Sequence, residues 1–561
     1  MPPASNHPNK KQQRRPASPF RWFLLALVAI LLFLAKASSN LFTEIYLDQA
    51  IQGRLAPKDS SQDSTSTQQS PTGEATEDAD CPFRDSPIYR SVYVYPEYGD
   101  VANGWSGDIL SEAGRNLDKL APWPWLELRR MSQQLGTSHY DISCQHIQYA
   151  TELLVRELMV NPKSCLRTDD PEKATLFYVP YLPSVEHHRG ENNAADYALS
   201  PYGRAIEDII EKKDYDAWES LFGLTSKYWK RRGGSDHILV FSEPMHGLSH
   251  PRSRRGNFHF VNTQKQLKPP IVISVELSTT FVQQYPKCAA KNILMPYPNT
   301  DGRWFNGKMD QETSEMLATA NITVSSSAAA LAAEKAQSKE GRPIAQFYSA
   351  GNHGTCRNLR KAMTEDYRSC SPSYTVYKES FPSANHAHGM RLSTLCPCPG
   401  GDSPSAKRMF DSIIAGCIPV ILSKDFVWPF TSEFDPSISL DPNEFSLRLE
   451  ASDYEVPQLD AKTCNPLNET KPGLQKEFEA MPTQYIQRLR QGIARARHLY
   501  SWYDFSRSIP DNPLRENVLP TGGAAHALVA ALGERAAGAF WSACEEELKS
   551  DRGPDARQFL C

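Results

Sequence analysis

The chain has 561 residues, more than one ordinary domain needs, and its 40% hydrophobic content is enough for real cores. Net charge is −4 with both signs interspersed, which excludes the basic stripe of a dedicated nucleic-acid binder. All twelve cysteines lie between Cys81 and Cys561, a distribution that fits an oxidising compartment and leaves the pairing open. Cys396 and Cys398 form a lone C-x-C with no second pair at zinc-finger spacing, so no metal site is expected there. The sequons at Asn321 and Asn468 could accept N-glycans in such a compartment.

Trp22 to Ala35 is an unbroken apolar and aromatic run between Arg21 and Lys36, preceded by Lys10, Lys11, Arg14 and Arg15. Positive charge on its amino-terminal side predicts a cytosolic tail over residues 1–20 and a signal-anchor over 21–37, with the rest of the chain across the membrane. The run is shorter than the ~20 residues of a full span. Phe20, Ala37, Leu41 and a snorkelling Lys36 lengthen it. The competing reading is a cleaved signal peptide, for which Ala35-Lys36-Ala37 has the small-x-small pattern, although the preceding leader is long. Gly53 to Asp80 is rich in Ser, Thr, Gln, Asp and Glu and nearly free of large apolar residues, so residues 38–80 are expected to form a flexible, disordered stem.

Composition changes at Cys81. Ile88–Tyr95 is β-branched and aromatic and predicts a strand; Cys144–Met159 has helical spacing of Ile147, Leu154 and Leu158. Strands are expected at Thr175–Val179, Ile238–Phe241 and Ile271–Val275, with helices at Ile206–Ile210 and Trp218–Trp229 between them. Alternation of this kind predicts a parallel sheet covered on both faces, whose ligands bind beyond the carboxyl ends of the strands. Glu243 and Glu276 each follow such a strand end, and either carboxylate could face a cleft or lie in solvent.

A second series begins with a strand at 343–348, the small-residue turn Ser349–Gly354, and a helix over Thr355–Met363 carrying Arg357 and Arg360. Ser393–Pro397 is a further strand, followed by the turn Gly400-Gly401-Asp402-Ser403. Ser403 as N-cap and Pro404 at the first position predict a helix to about Ala415, stopped by Gly416. Its apolar face is Met409, Phe410, Ile413, Ile414 and Cys417, and Ile418–Leu422 is the next strand. A hydroxyl-rich turn opening a helix offers free N–H groups to a phosphate, and Arg408 can add a charge-assisted bond to a diphosphate. The plainer alternative is a capped amphipathic helix with Arg408 paired to Asp411. Neither a Walker loop nor a complete dinucleotide fingerprint is present.

Five stretches in order carry a family resemblance: DPEKATLFYVPYLP at 170–183, KYWKRRGGSDHILV at 227–240, PPIVISVE at 269–276, PIAQFYSAGNHGTCRNLR at 343–360, and STLCPCPGGDSPSAKRMFDSIIAGCIPVILSKDFVWPF at 393–430. They resemble the exostosin family of glycosyltransferases, including its plant and algal cell-wall branch. The resemblance implies an α/β enzyme of the GT-B type, with two Rossmann-like domains facing a cleft. An acceptor-side domain over 81–340 would precede a nucleotide-sugar domain with terminal helices over 341–561. It implies a Golgi transferase, single-pass type II, passing a sugar from a nucleotide-sugar donor, UDP-linked, to a glycan or glycoprotein acceptor with inversion.

No cofactor or metal is expected beyond that donor, because no D-x-D motif sits in a matching place. Gly354, Arg357, Ser403, Ser405, Arg408 and Asp411 are the donor-side residues so implied. Partners would be the Golgi membrane and a complex with other transferases, and no nucleic acid. A non-catalytic scaffold in such a complex, or a secreted carbohydrate-binding protein, are the rival readings. Where many plant relatives have an H-D-W-G-like end, this chain has Glu243-Pro244-Met245-His246-Gly247, and residues 490–561 match weakly.

The acceptor base is expected from the first half, from among Glu243, Asp236 and His237, with Glu243 favoured because it follows a strand at its carboxyl end. Glu243→Gln keeps the shape and removes the basicity. It should leave nucleotide affinity nearly intact while lowering turnover by about 10²–10⁴-fold. Normal turnover in the folded variant would exclude Glu243 as the base.

Overall fold

A computed structural model describes residues 81–95, 150–180, 227–242, 270–277, 282–283, 286–299, 342, 344–348, 356–360, 363, 374–375, 386–401, 403–431, 440–449, 480–504, 506–510, 513 and 518–550. The tail, anchor and stem expected over 1–80, together with Glu243, Gly354, Asn321 and Asn468, lie outside these residues. Among the described residues no helix is long and apolar enough to cross a membrane.

The first sheet gathers β1 (Val92–Val94), α1 (Thr151–Val160), β2 (Arg167–Thr168), β3 (Leu176–Tyr178), α2 (Lys227–Arg232), β4 (His237–Phe241), β5 (Ile271–Ser274), α3 (Pro286–Lys291) and β6 (Ile293–Leu294). Its strand order is β2-β1-β3-β4-β5-β6, with every pair parallel. β4 and β5 are buried at every position and show no alternation, as a sheet covered on both faces requires. The first strand is shorter than the run Ile88–Tyr95 suggests. Residues 82–90 are turns, and Arg90, at φ 48°, donates its N–H to the Cys165 carbonyl beside the Cys81–Cys165 disulfide. Chain entry is thereby fixed by a cross-link and a left-handed residue before pairing begins.

The second sheet contains β7 (Ile344–Phe347), β8 (Tyr374–Thr375), α4 (His386–Arg391), β9 (Ser393–Cys398), α5 (Lys407–Ala415), β10 (Ile418–Ile421) and β11 (Leu447–Arg448). Its order is β11-β10-β9-β7-β8, again all parallel. The apolar face of α5 is as expected: Met409, Phe410, Ile413, Ile414 and Cys417 are at most 1% exposed. Gly416 ends the helix in the left-handed region at φ 72°, its N–H bonded to the Ile413 and Ser412 carbonyls. Arg342 finishes that end, donating to the carbonyls of Met390, Ser393 and Ala415. Cys396 is bonded to Cys417, which ties β9 to the start of β10. The described strands of the two sheets fall within 81–340 and 341–561 respectively, and Thr76–Cys561 is one unit by its contacts.

Among the described residues, three helices follow the second sheet: α6 (Thr483–Leu499), α7 (Gly523–Ala536) and α8 (Ala539–Ser550). They reach both halves, α6 packing on α5 and the 442–444 turn and α8 on α3. Cys544 of α8 is bonded to Cys288 of α3. The Glu547 carboxylate accepts the Lys287 and Cys288 N–H groups at the start of α3, at 3.2 and 2.9 Å. At the other end, buried Arg535 of α7 donates to the carbonyls of Ala290, Lys291 and Asn292. An acid at the first turn and a base at the last match the helix dipole.

Helix α6 buries Ile486, Leu489, Ile493 and Ala496 on one stripe. Gly492 lies on the same side, where an added Cβ would come 1.9 Å from the Glu444 carbonyl oxygen. Only glycine allows this approach. Gly492→Ala should push α6 off the 442–444 turn and destabilise the fold by about 1–3 kcal/mol, read as a lowered midpoint in denaturant. An unchanged midpoint would mean that the contact is not made in solution.

Candidate functional site

Two halves meet where the carboxyl end of β5 faces the turn that opens α5. Ser274 donates its hydroxyl to the Glu276 carbonyl at 3.1 Å and so fixes the path by which the chain leaves the strand. The Glu276 carboxylate then reaches across to the second half. Its Oε2 accepts the hydroxyls of Ser403 and Ser405 and the backbone N–H of Ser405, the last at 2.9 Å. Tyr297, which follows β6, shares a hydrogen bond of 2.9 Å with the Ser405 hydroxyl, and its ring lies 5.5 Å from that of Phe410. Glu276, Ser403, Ser405 and Tyr297 are all buried. Trp502 adds a further tie across the seam, donating its indole N–H to the Pro296 carbonyl.

This seam changes the expected start of α5. The helix begins at Lys407 with Ala406 as its N-cap, and no side chain caps it. Ser403 is not the cap, because its hydroxyl is bonded to Glu276 and the Gly401 N–H folds back onto the Ser405 carbonyl. Ser403 and Ser405, expected to touch a phosphate, are instead engaged by a carboxylate of the first half. Arg408 is consequently the second residue of α5, half-buried, with its guanidinium 4.9 Å above the Tyr348 ring. Asp411 is bonded to Lys407, whose Nζ donates to both carboxylate oxygens at 2.6 and 2.7 Å. Arg357 is exposed in the first turn of the helix over 357–360.

Cys398, the free thiol among the described cysteines, is buried beside Ser412. Burial pushes it up to about 11, so it is a packing group and not a nucleophile at neutral pH.

Asp236 and His237 sit elsewhere, at the amino-terminal start of β4, level with Phe177 of β3. Both are 0% exposed. Arg231 donates to Asp236 at 2.8 Å, Asp236 pairs with His237 Nδ1 at 2.9 Å, and the Tyr95 hydroxyl meets His237 Nε2 at 2.9 Å. The imidazole stacks on Phe177 at 4.9 Å and 13°. A neutral ring satisfies every group: Nδ1–H donates to the carboxylate and Nε2 accepts from the tyrosine. With no exposed atom and both nitrogens engaged, these two residues join β1, β3, β4 and α2 and are not placed to meet an acceptor hydroxyl.

Among the groups that sequence reasoning passed over, Tyr297 carries the clearest signal. It follows the short apolar pair Ile293–Leu294, another strand end facing the same seam. Glu276 was legible by the same rule, but its partner was not.

Two parallel sheets with carboxyl-end groups meeting across a seam define a two-halved α/β protein of the kind that holds a ligand between its halves, an arrangement consistent with GT-B. The exostosin GT47 domain model matches residues 89–460, and the chain belongs to that family. It is similar to a probable glycosyltransferase of Arabidopsis thaliana, 22% identical over 299 residues, covering 52% of this chain and 46% of the relative. A probable glucuronosyltransferase of Oryza sativa subsp. japonica is 24% identical over 332 residues, 58% of this chain and 67% of the relative. A probable xyloglucan galactosyltransferase of Arabidopsis thaliana is 23% identical over 408 residues, 72% of this chain and 62% of the relative. The chain spans about half the length of several of the curated relatives it matches.

The buried histidine gives the protein a defined response to acid. Burial pushes His237 below its ordinary value, and the neighbouring carboxylate opposes this only in part. Burial by itself raises Asp236, but its bonds to His237 and Arg231 outweigh that and hold it low. Below about 6.5 the unfolded chain takes up a proton at His237 that the folded chain refuses, so stability is lost as pH falls. Asp236 acts in the same direction at lower pH. Unfolding in denaturant at pH 7.5 and 5.5 should show a larger loss for the wild type than for His237→Gln, with a limit of about 1.4 kcal/mol per pH unit from this one group. Equal losses would show that the ring is not held neutral.

Proposed function

We propose that this chain is a Golgi-type, single-pass type II membrane glycosyltransferase. It transfers a sugar from a nucleotide-sugar donor, UDP-linked, to a glycan or glycoprotein acceptor with inversion. The observation that carries this reading is Arg408. It stands at the start of a nine-residue helix whose first turn has no side-chain cap, beyond the carboxyl end of a parallel strand, in a chain of the exostosin GT47 family. A diphosphate at that helix start would meet the first-turn N–H groups and a guanidinium together. Arg357 and the Gly354 turn would add to the same donor side, and Asp411 would orient Lys407 beside it. The relatives' names, which include glucuronosyl- and xyloglucan galactosyltransferases, support the class of reaction and leave the sugar open.

In the proposed reaction the acceptor hydroxyl attacks the anomeric carbon from the face opposite the diphosphate. The new glycosidic C–O bond forms as the bond to the diphosphate breaks. Glu243 takes the hydroxyl proton. Arg408, Arg357 and the N–H groups opening α5 neutralise the charge that grows on the leaving diphosphate, which is where preorganised donors lower a barrier most. The disulfides Cys81–Cys165, Cys288–Cys544 and Cys396–Cys417 support an oxidising compartment for the part of the chain beyond Cys81, in keeping with the proposed topology.

The test is a panel of nucleotide sugars with the purified full chain, followed by linkage analysis of any product. Transfer from one donor with inverted configuration supports the proposal. Binding of a glycan without transfer from any donor favours the scaffold reading. Arg408→Ala should weaken nucleoside diphosphate binding by about 1.5–3 kcal/mol in calorimetry without unfolding the protein. Unchanged affinity in the folded variant would remove Arg408 from the donor site.

A further inference from the structure

The carboxylate of Glu276 is the strongest group that the proposed reaction does not use. It lies at the carboxyl end of a strand, where a base might be sought, yet one of its oxygens already accepts three hydrogen bonds, from Ser403, from the Ser405 hydroxyl and from the Ser405 N–H. Those lone pairs are committed, so the group does not offer them to an acceptor hydroxyl. All three donors belong to the turn that opens α5, and all come from the other half of the protein. We infer that Glu276 is a positioning residue: a cross-half clasp that sets where the start of α5, and with it Arg408, sits. This rests on the proposed donor role of that helix.

Three observations carry the inference. First, the turn at 401–406 has no cap of its own, since the N-cap is Ala406 and makes no side-chain bond. A carboxylate near a helix start is favoured by the dipole and by charge-assisted donation. Glu276 holds the turn just before the N-cap and leaves the first-turn N–H groups of α5 to other partners. Second, the clasp is braced on both sides. Ser274 holds the Glu276 carbonyl, and Tyr297 holds the Ser405 hydroxyl at 2.9 Å. Third, only two residues separate Ser405 from Arg408, and the first turn of α5 is rigidly packed through Met409 and Phe410, both at most 1% exposed. Displacing the turn therefore displaces the guanidinium, and a misplaced electrostatic group loses much of its effect.

The experiment uses the full chain as wild type, Glu276→Ala and Glu276→Gln, with UDP as the probe. Amide hydrogen exchange over residues 403–408 reads the clasp directly, because the Ser405 N–H donates to Glu276. Calorimetry with UDP reads the donor side. Glu276→Ala should speed exchange over the turn and weaken UDP binding, each by about tenfold or more, while leaving a folded protein. Glu276→Gln keeps an acceptor oxygen for the same donors and should restore most of both. If Glu276→Ala exchanges at the wild-type rate, or binds UDP as well as or better than the wild type, the positioning role is overturned. If both variants lose affinity alike, the charge and not the clasp is what matters, and the inference falls. A wild-type chain that binds no UDP while its turn still exchanges faster on Glu276→Ala would sink the donor assignment and uphold the clasp.

Discussion

Every described strand pairing in this protein is parallel, and that single constraint orders the rest. A parallel neighbour cannot be reached by a tight hairpin, so the chain must cross over a face of the sheet between one strand and the next. Faces covered in this way exclude water, and the strands beneath can be apolar throughout, as β4 and β5 are. All strands of a sheet also end on the same side. Glu276 and Tyr297 therefore leave neighbouring strands of the first sheet at the same edge, and the turn after β9 leaves the second sheet at an edge of the same kind. Their meeting at one seam is a consequence of topology before it is a matter of chemistry.

Once water is excluded, each polar group at the seam needs a partner from the protein, and the choice of partner fixes its role. Glu276 and Asp236 illustrate this. Both are buried acids beside a strand of the first sheet. Asp236 lies at the amino-terminal start of β4 and is matched by Arg231 and His237 from its own half, so it consolidates that half. Glu276 lies at a carboxyl end and is matched by Ser403 and Ser405 from the other half, so it joins the two. The C-terminal helices repeat the pattern at α3, where Glu547 and Arg535 satisfy opposite ends of one short helix and Cys288–Cys544 makes the join covalent. Contacts of great sequence separation thus hold the first sheet to the end of the chain, and loss of the last helices would expose both ends of α3.

The sequence by itself determined the longer strands β3, β4, β5, β7, β9 and β10 to within a residue or two, but not the extent of β1 nor the two-residue strands β2, β6, β8 and β11, which are too short to carry a pattern of their own. It also determined the apolar face of α5 and its stop at Gly416, because hydrophobic spacing and left-handed glycine are local properties. It also determined the family, through five ordered stretches that the match over residues 89–460 covers. Tertiary structure alone decided the beginning of α5. Locally, Ser403 and Pro404 make a good helix start, and nothing near them announces a carboxylate from 127 residues earlier in the chain. Asp236 and His237 likewise look like a polar pair at a strand mouth until Tyr95 and Arg231 are seen to close around them. The reason is the same in each case: periodicity and capping are written in neighbours along the chain, whereas the partner of a buried charge is chosen by distance in space, which the sequence does not state.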